Sequence, residues 1–388
     1  MGRMLRCGAA VAALLAVLAG LVGSGLLLEY DVPHRLALLT GRPELVGGFP
    51  AILSKEQRAR SFRFEHLKEG SLKGRVAVIT GANAGVGFQS AHQLARLGAT
   101  VVLGCRSEAK CREAIKEIEA LPGGRNGKLV PLALDTASLA SVRAFAQALK
   151  AAQLGTGVDI LMLNAGIALN NSPGASHLTA DGVETVWATN VLGHVYLAEL
   201  LGEAVEAAAA KAPKGSTRIV IVSSASNYGA NAATVRPQLT TLEGVNGIPQ
   251  VLSSTDRYEV TKFANVLMAQ VLAKKHPRTL VSSLHPGVVA TSIWDAAKRA
   301  IRRIGGPAGD TLVAAFEKIQ YGVMWSAQGG ALTQVYLAAS PELRESGKYY
   351  HPVAHKQDPN PLALGKQGEE LGDALFAFCS KLLRERGF

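Results

Sequence analysis

A serine, a tyrosine and a lysine at fixed spacing carry the chemistry of this sequence. Arg218-Ile219-Val220-Ile221-Val222-Ser223-Ser224 is a β-branched, apolar run that ends abruptly on two hydroxyls, the pattern of a buried strand with polar groups at its carboxyl end. Tyr258 and Lys262 stand four residues apart in a segment, Tyr258 to Ala273, that reads as helix, so they share one face. An ammonium beside a phenol favours phenolate and can bring a tyrosine pKa down from ~10 toward neutrality, as a general acid/base requires. Ser224 is then placed to offer its hydroxyl to a substrate oxygen. A Tyr-x-x-x-Lys alone is a common coincidence, so the case for chemistry rests on the elements that position it.

Those elements alternate strand and helix. Arg75 to Thr80 is a strand, Gly81-Ala82-Asn83-Ala84-Gly85-Val86-Gly87 a glycine-rich turn, and Phe88 to Leu97 a helix with Ala91, Leu94 and Ala95 on one face. In that context Gly81 permits the turn, Gly85 lets backbone approach a pyrophosphate, Gly87 lets helix and strand pack closely, and the helix N-terminus faces the anion. The second strand, Thr100 to Cys105, is followed by Arg106 where an NAD-binding unit carries an acidic residue. An arginine there clamps a 2′-phosphate or is an ordinary surface residue, and NADP(H) is expected over NAD(H). Lys128 to Asp135 is the third strand; Asp135 either faces an adenine or caps the helix Ser138 to Leu149. Val158 to Leu163 is the fourth, ending in Asn164-Ala165-Gly166, where a glycine lets cofactor pass closely.

The helix from Glu184 carries Asn190, a poor helix-interior residue whose presence predicts a side-chain task or a kink. A sixth strand, Leu280 to Leu284, ends in His285-Pro286-Gly287. A lone histidine at a strand end is read as structural. The alternation predicts an α/β doubly wound parallel sheet, a Rossmann fold, with its site at the strands' carboxyl ends.

Composition sets the outer limits. With 388 residues, 48% hydrophobic and 5% aromatic, the chain can bury a large α/β core. Cys7, Cys105, Cys111 and Cys379 form no paired or CxxC framework, so reduced thiols and no metal site are expected. The net charge of +11 is scattered and, without aromatic interleaving or zinc-finger spacing, excludes a nucleic-acid partner. Cys7 to Leu28 carries no charge and is long enough to cross a hydrocarbon core; a single-pass anchor and a cleaved signal peptide both fit, and the flanking arginines leave orientation undetermined. The expected layout is residues 1–28 anchor or signal, 29–72 a Pro-punctuated basic linker, 73–350 the catalytic domain and 351–388 a helical tail with Leu371, Ala374, Leu375, Phe378 and Leu382 on one face.

With Thr80-Gly81-x3-Gly85-x-Gly87, Asn164-Ala165-Gly166, Asn190, Ser224, Tyr258-x3-Lys262 and Pro286-Gly287 in order, the chain resembles the short-chain dehydrogenases/reductases from about Lys73 to Lys348. Gly104-Cys105-Arg106, Thr189-Asn190-x2-Gly193-His194 and Gly329-Gly330-Ala331-x-Thr333-x2-Tyr336 resemble its retinol-dehydrogenase-like branch. The resemblance implies an NADP(H)-dependent oxidoreductase interconverting carbonyl and alcohol. Tyr258 would be the proton donor/acceptor, Lys262 would hold the nicotinamide ribose, Ser224 would orient the reacting oxygen, and Asn190 would hold a relay water. Thr80, Gly81, Asn83, Gly85, Val86, Gly87, Arg106, Asp135, Asn164, Ala165 and Gly166 would line the cofactor. Pro286, Gly287 and Thr291 would place its carboxamide.

Thirty-three residues, Ala225 to Arg257, separate Ser224 from Tyr258, more than in shorter members, which bears on substrate identity. After Thr291, Trp294, Lys298, Arg299, Arg302 and Arg303 stand among Ile301 and Ile304, where the family keeps its substrate lid. That stretch is either a membrane-dipping lid or an ordinary one with a solvated basic face. With the apolar leader it favours a lipophilic retinoid, sterol or long-chain aldehyde or ketone, and a location at the endoplasmic reticulum membrane. Many members pair as homodimers through the catalytic helix; no residue here decides it. Two other functions stay open, a non-enzymatic NADP(H)-binding membrane sensor and a protochlorophyllide-reductase-like enzyme. The complete Asn190, Ser224, Tyr258, Lys262 set argues against the first, and the absence of cysteine from Ala225 to Arg257 against the second.

Overall fold

Short runs of Val, Ile, Leu and Met become the centre of a parallel sheet because both their faces are covered. The computed structural model describes residues 53–155, 157–168, 177–247, 254–291, 294–305 and 308–388. These fall into a larger unit, Phe62–Pro286 with Ala327–Phe388, and a smaller one, Gly287–Ser326 with the residues up to Ser61. In the larger unit β1 (Val76–Thr80), β2 (Thr100–Cys105), β3 (Leu129–Ala133), β4 (Ile160–Leu163), β5 (Arg218–Val222), β6 (Leu280–Leu284), β7 (Lys348–His351) and β8 (His355–Gln357) form one sheet in the order β3-β2-β1-β4-β5-β6-β7-β8. Every pairing is parallel except β7 with β8. The order reverses between β1 and β4, the switch point at which doubly wound sheets bind ligand. β1, β4 and β5 are buried along their whole length.

Helices α1 (Lys55–Arg60), α2 (Gly85–Arg96), α3 (Glu108–Ala120) and α4 (Leu139–Ala151) precede a composite helix, α5, built of Thr185–Trp187, a π turn at Ala188–Leu192 and Gly193–Ala210. The Ala225 to Arg257 stretch folds as a 3-10 turn, Ala225–Gly229, then α6 (Ala232–Thr240) and α7 (Leu242–Asn246), and leads into α8 (Ser254–Lys275), which carries Tyr258 and Lys262. The smaller unit holds α9 (Asp295–Gly305) and α10 (Gly309–Val323). Helices α11 (Ala327–Ala339) and α12 (Gly365–Glu385) complete the larger unit.

Leu371, Leu375, Phe378 and Leu382 of α12 are buried in the same core cluster as α8 and β5, each contributing about 1.5–3 kcal/mol. At the other end, Phe62 packs edge-on against Tyr336 and the Arg96 guanidinium lies 4.3 Å over the Phe64 ring. Residues 62–72 therefore belong to the packed body. One expectation is corrected: Cys105 and Cys111 are not separate thiols but a disulfide, with Cα atoms 5.8 Å apart, because the end of β2 faces the first turns of α3, a juxtaposition no sequence spacing announces. Cys379 is free and buried. No helix among the described residues is long and apolar enough to cross a membrane; the stretch Cys7 to Leu28 lies outside them.

Candidate active site

β5 delivers the two serines to different tasks. Ser223 turns its hydroxyl to the carbonyl of Lys262 at 2.6 Å and is 2% exposed, so it ties strand to helix. Ser224 caps the following 3-10 turn, its Oγ accepting from Ser226 N at 3.1 Å, and hydrogen-bonds the Tyr258 phenol. Lys262 Nζ lies 5.5 Å from the Tyr258 ring centroid and donates to Val222 O at 3.0 Å. Helix α8 thus brings Tyr258 and Lys262 to Ser224 at the carboxyl end of β5.

The electrostatics run opposite to the sequence expectation that Lys262 lowers the tyrosine pKa. Burial pushes Tyr258 up to about 12, the Ser224 hydrogen bond opposing it, and burial brings Lys262 down to about 8. Desolvation wins because Lys262 is buried, Tyr258 is half-buried and the ammonium spends a hydrogen on a carbonyl. At neutral pH the phenol keeps its proton.

Asn190 lies inside the π turn, a distortion that often marks functional positions. Its Oδ1 accepts from Ile167 N at 2.9 Å, and its Nδ2 donates to Ile167 O at 2.9 Å and Thr261 Oγ1 at 3.1 Å. The side chain thereby fixes the chain just past Gly166. A Cβ on Gly166 would sit 3.2 Å from Lys262 Nζ and 3.3 Å from Asn190 Oδ1, so this glycine leaves a cradle open above both.

At the switch point the turn after β1 is held by a buried polar chain. Thr80 Oγ1 accepts from Asn164 N at 2.9 Å and Ala165 N at 2.8 Å and lies 3.0 Å from His194 Nε2. Asn164 Nδ2 donates to Thr80 O, and its Oδ1 accepts from Gln334 Nε2 at 3.2 Å; Gln334 Oε1 in turn accepts from Ser90. Ser90, His194 and Gln334 were not among the site residues the sequence pointed to. Only the resemblance motif around Thr333 passes near Gln334, and nothing local pairs residues so far apart.

Gly81 has φ +67° and Gly85 φ +57°; Ala84, the residue before α2, supplies no side-chain cap, leaving the first amides of the helix for an anion. Asn83 and Val86 are half-buried in that turn. Arg106 is exposed directly after β2. Asp135 is not the helix cap: Ser138 caps α4 through Ser141 N, while Asp135 Oδ1 accepts from Ala137 N at 3.0 Å. Pro286 closes its segment of the larger unit, whereas Gly287 and Thr291 belong to the smaller one. There Trp294 Nε1 donates to Val289 O at 3.0 Å, Lys298 pairs with Glu317 at 2.9 Å and Arg302 with Asp310 at 2.6 Å. Two of the four α9 cations are thus matched by acids on α10, and Arg299 and Arg303 are exposed.

A doubly wound sheet with a glycine cradle at its switch point and a Ser–Tyr–Lys cluster one strand away defines a nucleotide-dependent oxidoreductase. Residues 75–235 match the short chain dehydrogenase model. Retinol dehydrogenase 14 of Mus musculus is 35% identical over 295 residues, 72% of this chain and 78% of that protein. Polyprenol dehydrogenase of Mus musculus is 35% identical over 297 residues, 76% of this chain and 80% of that protein. The crystal structure of L-sorbose reductase from Gluconobacter frateurii with NADPH and L-sorbose shares the fold at 22% identity and TM-score 0.56, over 74% of this chain and 98% of that one. The chain belongs to the short-chain dehydrogenase/reductase family, in its retinol-dehydrogenase-like branch. It is a dehydrogenase/reductase that takes a nicotinamide cofactor, and the cradle at Gly81, Gly87 and Gly166 has the shape such a group needs.

Proposed function

We propose that the chain interconverts a carbonyl and an alcohol on a lipophilic substrate, using NADP(H). The observation that carries this reading is the meeting of Ser224, Tyr258 and Lys262 at the carboxyl end of β5. In reduction, Tyr258, protonated at neutral pH, gives its proton to the carbonyl oxygen. Ser224 donates a hydrogen bond to that same oxygen and sets its angle. Lys262 keeps a positive charge below about pH 8 and steadies the phenolate left behind. Asn190 holds the Gly166–Ile167 backbone clear, a positioning task, since its amide is spent on protein partners. The bound cofactor supplies the hydride.

NADP(H) is favoured because Arg106, exposed at the end of β2, is of the type that clamps a 2′-phosphate. Thr80, Gly81, Asn83, Gly85, Val86, Gly87, Asn164, Ala165 and Gly166 are the proposed cofactor contacts, with Asp135 beside the adenine; Pro286, Gly287 and Thr291 join them on motif alone. A lipophilic substrate is favoured by the relatives named for retinol and polyprenol, and membrane attachment through Cys7 to Leu28 is the companion proposal.

Full-length chain in detergent micelles should consume NADPH with retinaldehyde, keto-sterols or long-chain aldehydes and leave small polar ketones untouched. Tight NADPH binding with no turnover on any of them would replace the enzyme with a cofactor-binding sensor. Arg106→Asp should weaken NADPH about 10–100-fold, the loss of one charge-assisted contact, and leave NADH affinity within a few-fold. Calorimetry showing unchanged NADPH affinity would refute the 2′-phosphate assignment.

A further inference from the structure

Ser224 stands just past the sheet, and the groups that hold it are not used by the mechanism above. The β5–β6 pairing reaches Ser223, whose N–H donates to Leu284 O at 2.8 Å, and leaves Ser224 beyond it. The Ser224 Oγ accepts from Ser226 N at 3.1 Å. Its carbonyl accepts twice from Asn227, from the backbone N at 3.0 Å and from Nδ2 at 2.8 Å. Hydroxyl and carbonyl are thus both fixed by the 3-10 turn Ala225–Gly229, and where that turn sits decides where the hydroxyl lies.

The turn is clasped from the far end of the chain. Asn227 is wholly buried and Asn360 is 3% exposed. Asn360 N donates to Asn227 Oδ1 at 3.0 Å, and Asn360 Nδ2 donates to Asn227 O at 2.9 Å and to Ala230 O at 2.8 Å. The second Nδ2 hydrogen of Asn227 goes to the Tyr349 hydroxyl at 3.1 Å, and Asn360 Oδ1 accepts from Leu362 N at 2.9 Å. An asparagine amide offers two hydrogens and one carbonyl oxygen, and all of them are engaged in both residues. Asn360 has its own anchor, because Ala363 and, on α12, Leu371 and Leu375 are buried in the core cluster. Residues 351–388, outside the stretch that matches the family model, reach Ser224 by this path.

We propose that Asn227 and Asn360 are positioning residues, which together hold Ser224 so that its hydroxyl meets the substrate oxygen at a productive angle. The proposal rests on the reading of Ser224 as the group that orients that oxygen. Neither asparagine touches substrate or cofactor. A buried network in which every donor and acceptor is met specifies one arrangement, whereas a short turn without such ties samples several. Displacing an orienting group by about 1 Å can cost roughly 10²-fold in rate, so the clasp bears on kcat and leaves the cofactor cradle alone.

The test is a double-mutant cycle on the full-length chain in detergent micelles. It is read as NADPH-dependent reduction of retinaldehyde, or of whichever other lipophilic carbonyl the wild type reduces. Asn360→Ala removes the hydrogen bonds to Asn227 O and Ala230 O and leaves Ser224, Tyr258 and Lys262 in place. It should lower kcat about 10–100-fold, with NADPH affinity within about twofold. In a Ser224→Ala background no hydroxyl is left to position, and the same substitution should lower kcat less than about threefold. Equal falls in the two backgrounds mean that the clasp only stabilises the fold, and overturn the proposal. Undiminished kcat in Asn360→Ala beside a lowered melting temperature overturns it too. Tyr349→Phe keeps the ring and removes one acceptor of Asn227, so it is carried through the same cycle in case Asn360→Ala fails to fold. Its fall should be about three- to tenfold, and confined to the chain that bears Ser224. Failure of the underlying reading shows separately: a wild type without turnover, or Ser224→Ala as active as the wild type, removes the role of Ser224 and the proposal with it.

Discussion

Tyr258→Phe should lower kcat by roughly 10²–10⁴-fold, the usual worth of a positioned general acid, while NADPH affinity stays within about twofold. The substitution removes one oxygen, leaves the ring that packs beside Lys262, and frees Ser224 from a hydrogen bond it can remake with substrate. The wild-type pH profile should carry the same signature. With the phenol pushed up to about 12 by burial, its protonated form is present throughout the neutral range. Reduction should therefore be level until about pH 8, where Lys262 begins to shed its charge. Alcohol oxidation needs the phenolate and should climb as pH rises. Stopped-flow turnover of the variant, and rates in both directions from about pH 6 to 9, check these points together. Retained activity in the variant, or an oxidation rate that falls with pH, would remove Tyr258 from the centre of the mechanism.

The direction of that shift was not legible in the sequence. Spacing places an ammonium near a phenol, and it says nothing of how far the finished fold takes the two out of water, which is what reverses the sign. What was legible had a local cause. β1, β4 and β5 read as strands because burial on both faces makes them continuous apolar runs. Asn190 announced itself as a misfit inside a helix, and the structure places a π turn there. By contrast β7 reads Lys348-Tyr349-Tyr350-His351 and is a strand because β6 and β8 pair with it on either side. Helix α3, with three buried side chains in thirteen residues, has a thin apolar stripe and passed unnoticed. The Cys105–Cys111 pair and the Ser90–Gln334–Asn164 chain join residues whose meeting depends on the finished sheet.

Gly87→Ala should be the most damaging single methyl in the cofactor cradle. A Cβ at this position would fall 2.4 Å from Gly81 O and 2.5 Å from Asn164 Nδ2, and neither atom can retreat cheaply. Gly81 N is tied to Gly104 O at 2.8 Å, and Gly81 already sits at φ +67°. The Asn164 amide donates to Thr80 O at 2.8 Å while its oxygen is held by Gln334. Relief therefore requires the turn to open away from the start of α2, and overpacking of this kind costs about 1–3 kcal/mol. The same displacement carries the helix amides off the position at which they would meet a pyrophosphate, so NADPH affinity should fall by about 10–100-fold. Stability should fall less conspicuously, by about 2–4 °C in Tm for each kcal/mol. Titration calorimetry beside a thermal melt separates the two effects. A variant that melts lower yet binds NADPH as tightly as the wild type would mean that the turn only packs helix against strand and that the cofactor's anionic end lies elsewhere.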